Sequence, residues 1–144
     1  MIKAKSMKKT ALLNAELSYL VASLGHFDEI TICDAGLPIP SNTQRIDLAL
    51  THGVPAFIDT VRVILSEMQI TGVLLASEFK QVSPDLHRAL IELVEQEKLA
   101  GSRIEIIYIS HEAFKERTHN SKAVVRSGEC TPYANVIFQS GVVF

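Results

Sequence analysis

Ile70-Thr71-Gly72-Val73-Leu74-Leu75-Ala76-Ser77, then Ser83-Pro84 with Leu86, Leu90, Ile91 and Val94 behind it, then Ile104-Glu105-Ile106-Ile107-Tyr108-Ile109, is the stretch on which the fold class turns. The first run is too short for a helix of its own and too apolar for an exposed strand, so it reads as a strand covered on both faces. Ser83 and Pro84 open a helix that fades near Gly101. The Ile104 run is the next strand. Strands alternating with helices at this spacing predict a three-layer α/β/α domain with helices on both faces of a largely parallel or mixed sheet.

Upstream, Asn14 is a good N-cap, and Leu17, Leu20, Val21 and Leu24 recur at i, i+3, i+4 and i+7. Gly25 then offers the left-handed position that closes such a helix. Glu29-Ile30-Thr31-Ile32-Cys33 reads as a strand, stopped by the loop Asp34-Ala35-Gly36-Leu37-Pro38-Ile39-Pro40. Ile46, Leu48 and Leu50 alternate as a short strand, and Phe57, Val61, Ile64, Leu65 and Met68 form a helical stripe opened by Pro55. Downstream, Ser110 caps a short helix through about Arg117. Ala123 to Phe144 reads as strands broken by Gly128 and Pro132, closing the sheet in mixed fashion. Met1 to Ser6, ahead of a second plausible start at Met7-Lys8-Lys9, reads as a tag or an N-terminal extension. The expectation is one domain over residues 7–144, with no internal repeat or linker.

Composition narrows the function. The 144 residues carry 14 basic and 16 acidic side chains, a net charge of −2, and no long run of one sign. Neither nucleic acid nor an anionic membrane is an expected partner. Cys33 and Cys130 lack CxxC spacing, which argues against a disulfide framework or a zinc ribbon and for a reducing cytoplasm. No apolar run approaches the about 18 residues of a membrane span, and the first residues lack a signal peptide's apolar region. A mean hydropathy of +0.21 is high for so short a chain, because a domain this size still exposes roughly a third of its unfolded surface. Together with the apolar ending Gly141-Val142-Val143-Phe144 it points to packing against copies of the same chain. The alternative is a last strand tucked against its own core.

Several familiar sites are missing. There is no GxxxxGK[ST] and no GxGxxG after the first strand, so a nucleotide-binding doubly wound domain is disfavoured. His111-Glu112 begins like a zincin helix, but Lys115 stands where the second histidine would be required, and no metal site is expected. Cys33, ending an apolar strand without a local base, reads as a core thiol. What remains is positional. Ligands of open α/β sheets sit outside the carboxyl ends of the strands, and Asp34, Glu78 and His111 each follow a strand at that end. Their bland alternatives are an Asx-turn residue, a solvated loop charge and a first-turn helix residue. His26, just past a helix, is either a dipole partner or a general acid. His52, His87 and His119 read as solvated. Between Arg126 and Asn135, Tyr133 supplies a flat face with a hydroxyl and Asn135 a donor and acceptor pair, the groups that hold sugar hydroxyls.

Ser23-Leu24-Gly25-His26, Cys33-Asp34-Ala35-Gly36-Leu37-Pro38-Ile39-Pro40, His111-Glu112 and Arg126-Ser127-Gly128-Glu129-Cys130-Thr131-Pro132-Tyr133-Ala134-Asn135 together resemble the D-ribose pyranase (ribose mutarotase) family, relatives of the fucose mutarotases. The resemblance runs from about Met7 to Phe144, although Thr60 to Arg103 carries no motif. It implies an isomerase that interconverts the pyranose and furanose forms of D-ribose by acid–base ring opening and reclosure, with no cofactor. His26 falls on the family's proton donor. Asp34, His111, Tyr133, Asn135 and the backbone of Ala134 fall on its sugar contacts. The anomeric proton could pass to Asp34, His111 or a bound water. The family is similar in forming rings, with the site between neighbouring subunits. The alternatives are a mutarotase for fucose or another sugar, and a non-catalytic sugar-binding regulatory subunit.

Overall fold

The computed structural model describes residues 7–144; Met1 to Ser6, read above as a tag or extension, lie outside the described residues. Asn14 is extended, at φ −62° and ψ 125°, and its Oδ1 accepts the Leu17 N–H at 2.9 Å, which opens α1 (Ala15–Ser23). α1 buries Leu17 and Leu20. Its ending differs from the expectation for Gly25. The left-handed backbone falls on Phe27, at φ 71°, within a turn that the Asp28 carboxylate fixes by accepting the Gly25 N–H at 2.7 Å. The side-chain acceptor takes over what a left-handed glycine does at other helix ends.

From there the order is β1 (Glu29–Cys33), β2 (Gln44–Asp47), α2 (Phe57–Leu65), β3 (Ile70–Ala76), α3 (Ser77–Val82), α4 (Pro84–Leu99), β4 (Glu105–Ile109), α5 (His111–Arg117), β5 (Ala123–Arg126) and β6 (Val136–Ser140). The six strands form one sheet in the order β2-β5-β1-β6-β3-β4. β6 runs antiparallel to both β1 and β3, while the other pairings are parallel. The expected mixed α/β domain is therefore present. α3 is an addition, because six residues burying only Phe79 leave no periodic stripe to read. Among the described residues no helix is long and apolar enough to cross a membrane.

Alternation along the strands divides the core. Ile30, Ile32, Val73, Leu75, Val125, Val136 and Phe138 face Leu17 and Leu20 of α1, Phe57, Val61 and Ile64 of α2, and Leu90 and Val94 of α4. On the other side Cys33, Leu74, Val124 and Ile137 meet Leu37 and Phe114 of α5. Each fully buried Leu, Ile or Phe contributes about 1.5–3 kcal/mol of transfer free energy. The second helical layer is thin, so the edge strand β4 is uncovered and Ile107 remains 42% exposed.

One further expectation changes, and one alternative falls away. His87, read as solvated, is only 7% exposed. Its Nε2 lies 2.6 Å from the Tyr108 hydroxyl and its ring stands edge-on to Phe79. Burial first, and then the Lys80 charge, hold its pKa below the ordinary histidine value. The C-terminal residues are not tucked against their own core. Gly141 N–H donates to the Gln69 carbonyl, but Val143 is 85% exposed and Phe144 fully exposed.

Gly128 shows where side-chain size is limiting. Its N–H donates to the Pro55 carbonyl at 2.8 Å, and its own carbonyl accepts the Gly53 N–H at 2.7 Å. A Cβ would press into the Val54 carbonyl oxygen and stand 2.6 Å from that of Thr51. Gly128→Ala is expected to destabilise the protein by about 1–3 kcal/mol in urea titrations at fixed protein concentration. An unchanged midpoint would mean that the Thr51–Pro55 loop yields freely.

Candidate active site

β1 lies between β5 and β6, so the chain leaving β5 must cross the carboxyl end of β1 to begin β6. Residues 127–135 make that crossing, and Asp34 is the residue that leaves β1 beneath them. Asp34 Oδ1 accepts the N–H groups of Gly36 at 3.0 Å and Leu37 at 2.8 Å, the Asx turn that its sequence context allows. The Asp34 N–H donates to Asn135 Oδ1 at 2.9 Å, a contact between residues 101 positions apart. Burial pushes the Asp34 carboxyl above its ordinary value, against the downward pull of those N–H groups, of Asn135 and of the nearby His111.

Asp34, Leu37, His111, Glu129, Thr131 and Tyr133 are among the residues lining a cleft of about 540 Å³ at this edge. His111 begins α5, whose N-cap Ser110 accepts the Ala113 N–H at 3.1 Å. Its ring meets the Tyr133 ring edge-on at 4.9 Å between centroids. Tyr133 adopts φ 62°, a left-handed conformation that is strained for a residue with a Cβ and is found disproportionately at ligand sites. Asn135 and Ala134 are buried just behind this wall. Two buried atoms in this corner, His111 Nδ1 and Asn135 Nδ2, have no hydrogen-bond partner among the described residues. Such atoms are costly to bury unless something polar meets them.

Glu78, expected to face the same crevice, takes another role. Its two carboxylate oxygens accept the His111 backbone N–H at 3.1 and 3.2 Å, and it does not line the cleft. Cys33 is fully buried, and its thiol is pushed up to about 12, chiefly by burial. It is a core thiol, as its sequence context suggested. Ser127 Oγ donates to the Cys33 carbonyl at 2.6 Å, and Arg126 Nε to the Ala35 carbonyl at 3.1 Å, so the crossing segment is stitched to the end of β1.

His26 is elsewhere. It is exposed, stacked on Phe27 with 3.8 Å between ring centroids, and it precedes β1 where Asp34 follows it. At about 3.3 Å per residue the strand holds the two ends about 20 Å apart. One chain therefore unites Asp34, His111, Tyr133, Ala134 and Asn135, and leaves His26 at the opposite edge of the sheet.

Glu129 was not singled out from sequence. Its Oε1 accepts the Phe57 N–H at 3.0 Å and its Oε2 accepts the Thr131 hydroxyl at 2.7 Å. Its carbonyl accepts the Ala35 N–H at 2.8 Å. The one available signal was indirect. The N-cap of α2 is Ala56, which has no side chain to cap it, so a side-chain acceptor for its first N–H groups must come from another part of the chain.

The sign of the Asp34 shift yields a test. A carboxyl whose pKa is higher folded than unfolded lends stability that is complete below its unfolded pKa and lost as pH rises through its folded value. Asn at this position keeps the Oδ1 acceptor and stays neutral. The thermal midpoint of Asp34→Asn is expected to exceed that of wild type at pH 7, and the gap to close towards pH 4. A variant less stable than wild type at pH 7, or a gap that ignores pH, would contradict the burial argument.

Residues 7–143 match the RbsD / FucU transport protein family. The chain is 96% identical over 138 residues to the D-ribose pyranase of Psychromonas ingrahamii, covering 96% of this chain and 100% of that protein. It is 72% identical over 139 residues to the D-ribose pyranase of Photobacterium profundum, again covering 96% and 100%. Its fold is similar to that of Bacillus subtilis RbsD complexed with D-ribose, with a TM-score of 0.86 and 46% identity over 96% of this chain and 100% of that one. The match extends across both halves of the sheet and the cleft between them, and the chain belongs to the RbsD / FucU transport protein family.

Proposed function

We infer that this chain interconverts the pyranose and furanose forms of D-ribose. The observation that carries this is the cleft over β1, in which Asp34, His111 and Tyr133 converge beside two unpartnered buried polar atoms, in a chain 96% identical to a D-ribose pyranase. Ring opening needs a proton delivered to the ring oxygen and another removed from the anomeric hydroxyl. The open-chain aldehyde then recloses on a different hydroxyl. Positioned acid–base groups contribute 10²–10⁴-fold, about 3–5 kcal/mol of barrier, and a sugar that already mutarotates in water needs no more.

In this reading Asp34, His111, Tyr133, Asn135 and the Ala134 backbone hold the sugar. Asp34 Oδ1 is occupied by two backbone N–H groups, which leaves its Oδ2 for a hydroxyl. His26 donates the proton to the ring oxygen. Because β1 separates it from the cleft of its own chain, His26 serves the cleft of a neighbouring subunit in a ring of identical chains. Exposed apolar residues at both edges support that packing. Phe27 and Phe144 lie at the His26 edge, and Leu50 and Val54 lie beside the cleft. The free cysteines support a cytoplasmic setting.

Magnetisation transfer between the β-pyranose and β-furanose NMR signals of D-ribose tests the reading. Wild type is expected to accelerate exchange, and His26→Ala to lose about 10²–10⁴-fold of the acceleration while remaining folded. Ribose binding without acceleration by wild type would leave a sugar-binding subunit. Full activity in His26→Ala would remove His26 from the reaction. Co-expressing His26→Ala with Asp34→Ala separates sites within a chain from sites between chains. Randomly mixed head-to-tail assemblies are expected to recover about a quarter of wild-type activity, since each site draws one residue from each of two chains. No recovery would contradict the shared site.

A further inference from the structure

The cleft wall contains a hydroxyl whose direction is fixed by its surroundings. Thr131 lines the cleft, and its Oγ1 donates to Glu129 Oε2 at 2.7 Å. A hydroxyl has one proton and two acceptor lone pairs. The other oxygen of Glu129 already accepts the Phe57 N–H at the start of α2, a position favourable for negative charge. Both oxygens thus act as acceptors, as those of a carboxylate do. A hydrogen bond to a carboxylate is roughly twice as strong as one between neutral groups, so the Thr131 hydroxyl proton stays pointed at Glu129. Towards the cleft that Thr131 lines, Oγ1 then has lone pairs alone to offer.

We propose that Thr131, oriented by Glu129, is a specificity-determining residue that accepts a hydrogen bond from one ribose hydroxyl. The assignment rests on the cleft being the sugar site. Glu129 is a positioning residue, since it acts through Thr131. A fixed acceptor rewards a hydroxyl that donates in one direction and rejects a group that cannot donate. Asp34 Oδ2 offers the cleft another acceptor, so the two oxygens together select for donors at defined places on the ring.

Three variants and two kinds of sugar analogue test this. Thr131→Val keeps the shape and removes the acceptor. It is expected to weaken ribose binding by about two- to tenfold in calorimetric titration, with the loss falling on KM more than on kcat. Thr131→Ser is expected to restore most of it. Among 2-deoxy- and 3-deoxy-D-ribose and their fluoro counterparts, one position is expected to show a penalty in wild type that disappears in Thr131→Val. At that carbon the fluoro sugar loses as much as the deoxy sugar, because fluorine cannot donate. In Glu129→Gln the amide oxygen can keep the Phe57 N–H while the amide nitrogen donates to Thr131. The freed hydroxyl proton then turns into the cleft, and the preference for hydroxyl over fluorine is expected to shrink. Thermal midpoints establish that each variant is folded.

Wild type that binds ribose while Thr131→Val binds it equally well would overturn the Thr131 assignment and leave the sugar site standing. An unchanged hydroxyl preference in Glu129→Gln would overturn the orienting role of Glu129. Wild type that binds no ribose would overturn the sugar site and this inference together.

Discussion

Ile137 pairs with Thr31 on one side and with Leu74 on the other, and β6 runs against both partners. That single reversed strand joins the two parallel halves of the sheet, β2-β5-β1 and β3-β4. Its side chains alternate between Phe138, packed under the larger helical layer, and Ile137, packed under α5. The reversal also dictates where the chain must travel. To enter β6 after β5 it has to climb over the end of β1, and the only residues free to do so are those between Arg126 and Val136. The cleft is a consequence of that crossing. Had β6 been parallel, its connection would have needed a crossover of a dozen or more residues on a sheet face, and nothing would cover Asp34.

A crossing without regular structure must find partners for its own peptide groups. Ser127 N–H and Oγ both donate to the Cys33 carbonyl, Gly128 bonds the Thr51–Pro55 loop in both directions, and Glu129 links three separate segments. The polar side chains of this run are thus consumed by the backbone of their surroundings, with few exceptions. Asn135 Nδ2 is one of them, and His111 Nδ1, brought from α5, is likewise unpartnered in the same corner. Beside a segment so thoroughly paired, these two unpartnered atoms are the feature that supports the sugar site proposed above.

Sequence revealed the elements better than their arrangement. The stripe of Leu17 and Leu20, the Val73 to Ala76 run and the Asn14 and Ser110 caps each depend on neighbours a few residues away, and each is present. The position of β6 depends on pairings with residues far off in sequence, as Ile137 with both Thr31 and Leu74, and no local pattern encodes it. The same division holds at the site. Asp34 and His111 could be placed because each follows a strand, whereas Glu129, beyond its neighbour Thr131, acquires its role from Phe57 and Ala35, which no spacing brings to it. His87 was misread for a related reason. Its helical face looks polar until Phe79 of α3 and Tyr108 of β4 close over it.

The length of β1 has a bearing on symmetry. His26 and the cleft lie at opposite ends of the same strand, so they occupy opposite edges of the subunit. A two-fold axis through an edge brings like edges together, His26 against His26 or cleft against cleft, whereas one through a face, with two chains side by side and antiparallel, sets each His26 edge beside the other chain's cleft. A head-to-tail contact stacks the Phe27 and Phe144 edge of one chain directly on the Leu50 and Val54 edge of the next. Repeated, such a contact closes into a ring or runs on as a filament. Under the function proposed above, closure of that head-to-tail contact leaves no cleft without a donor and no apolar edge in water, whereas a filament leaves one of each at its ends.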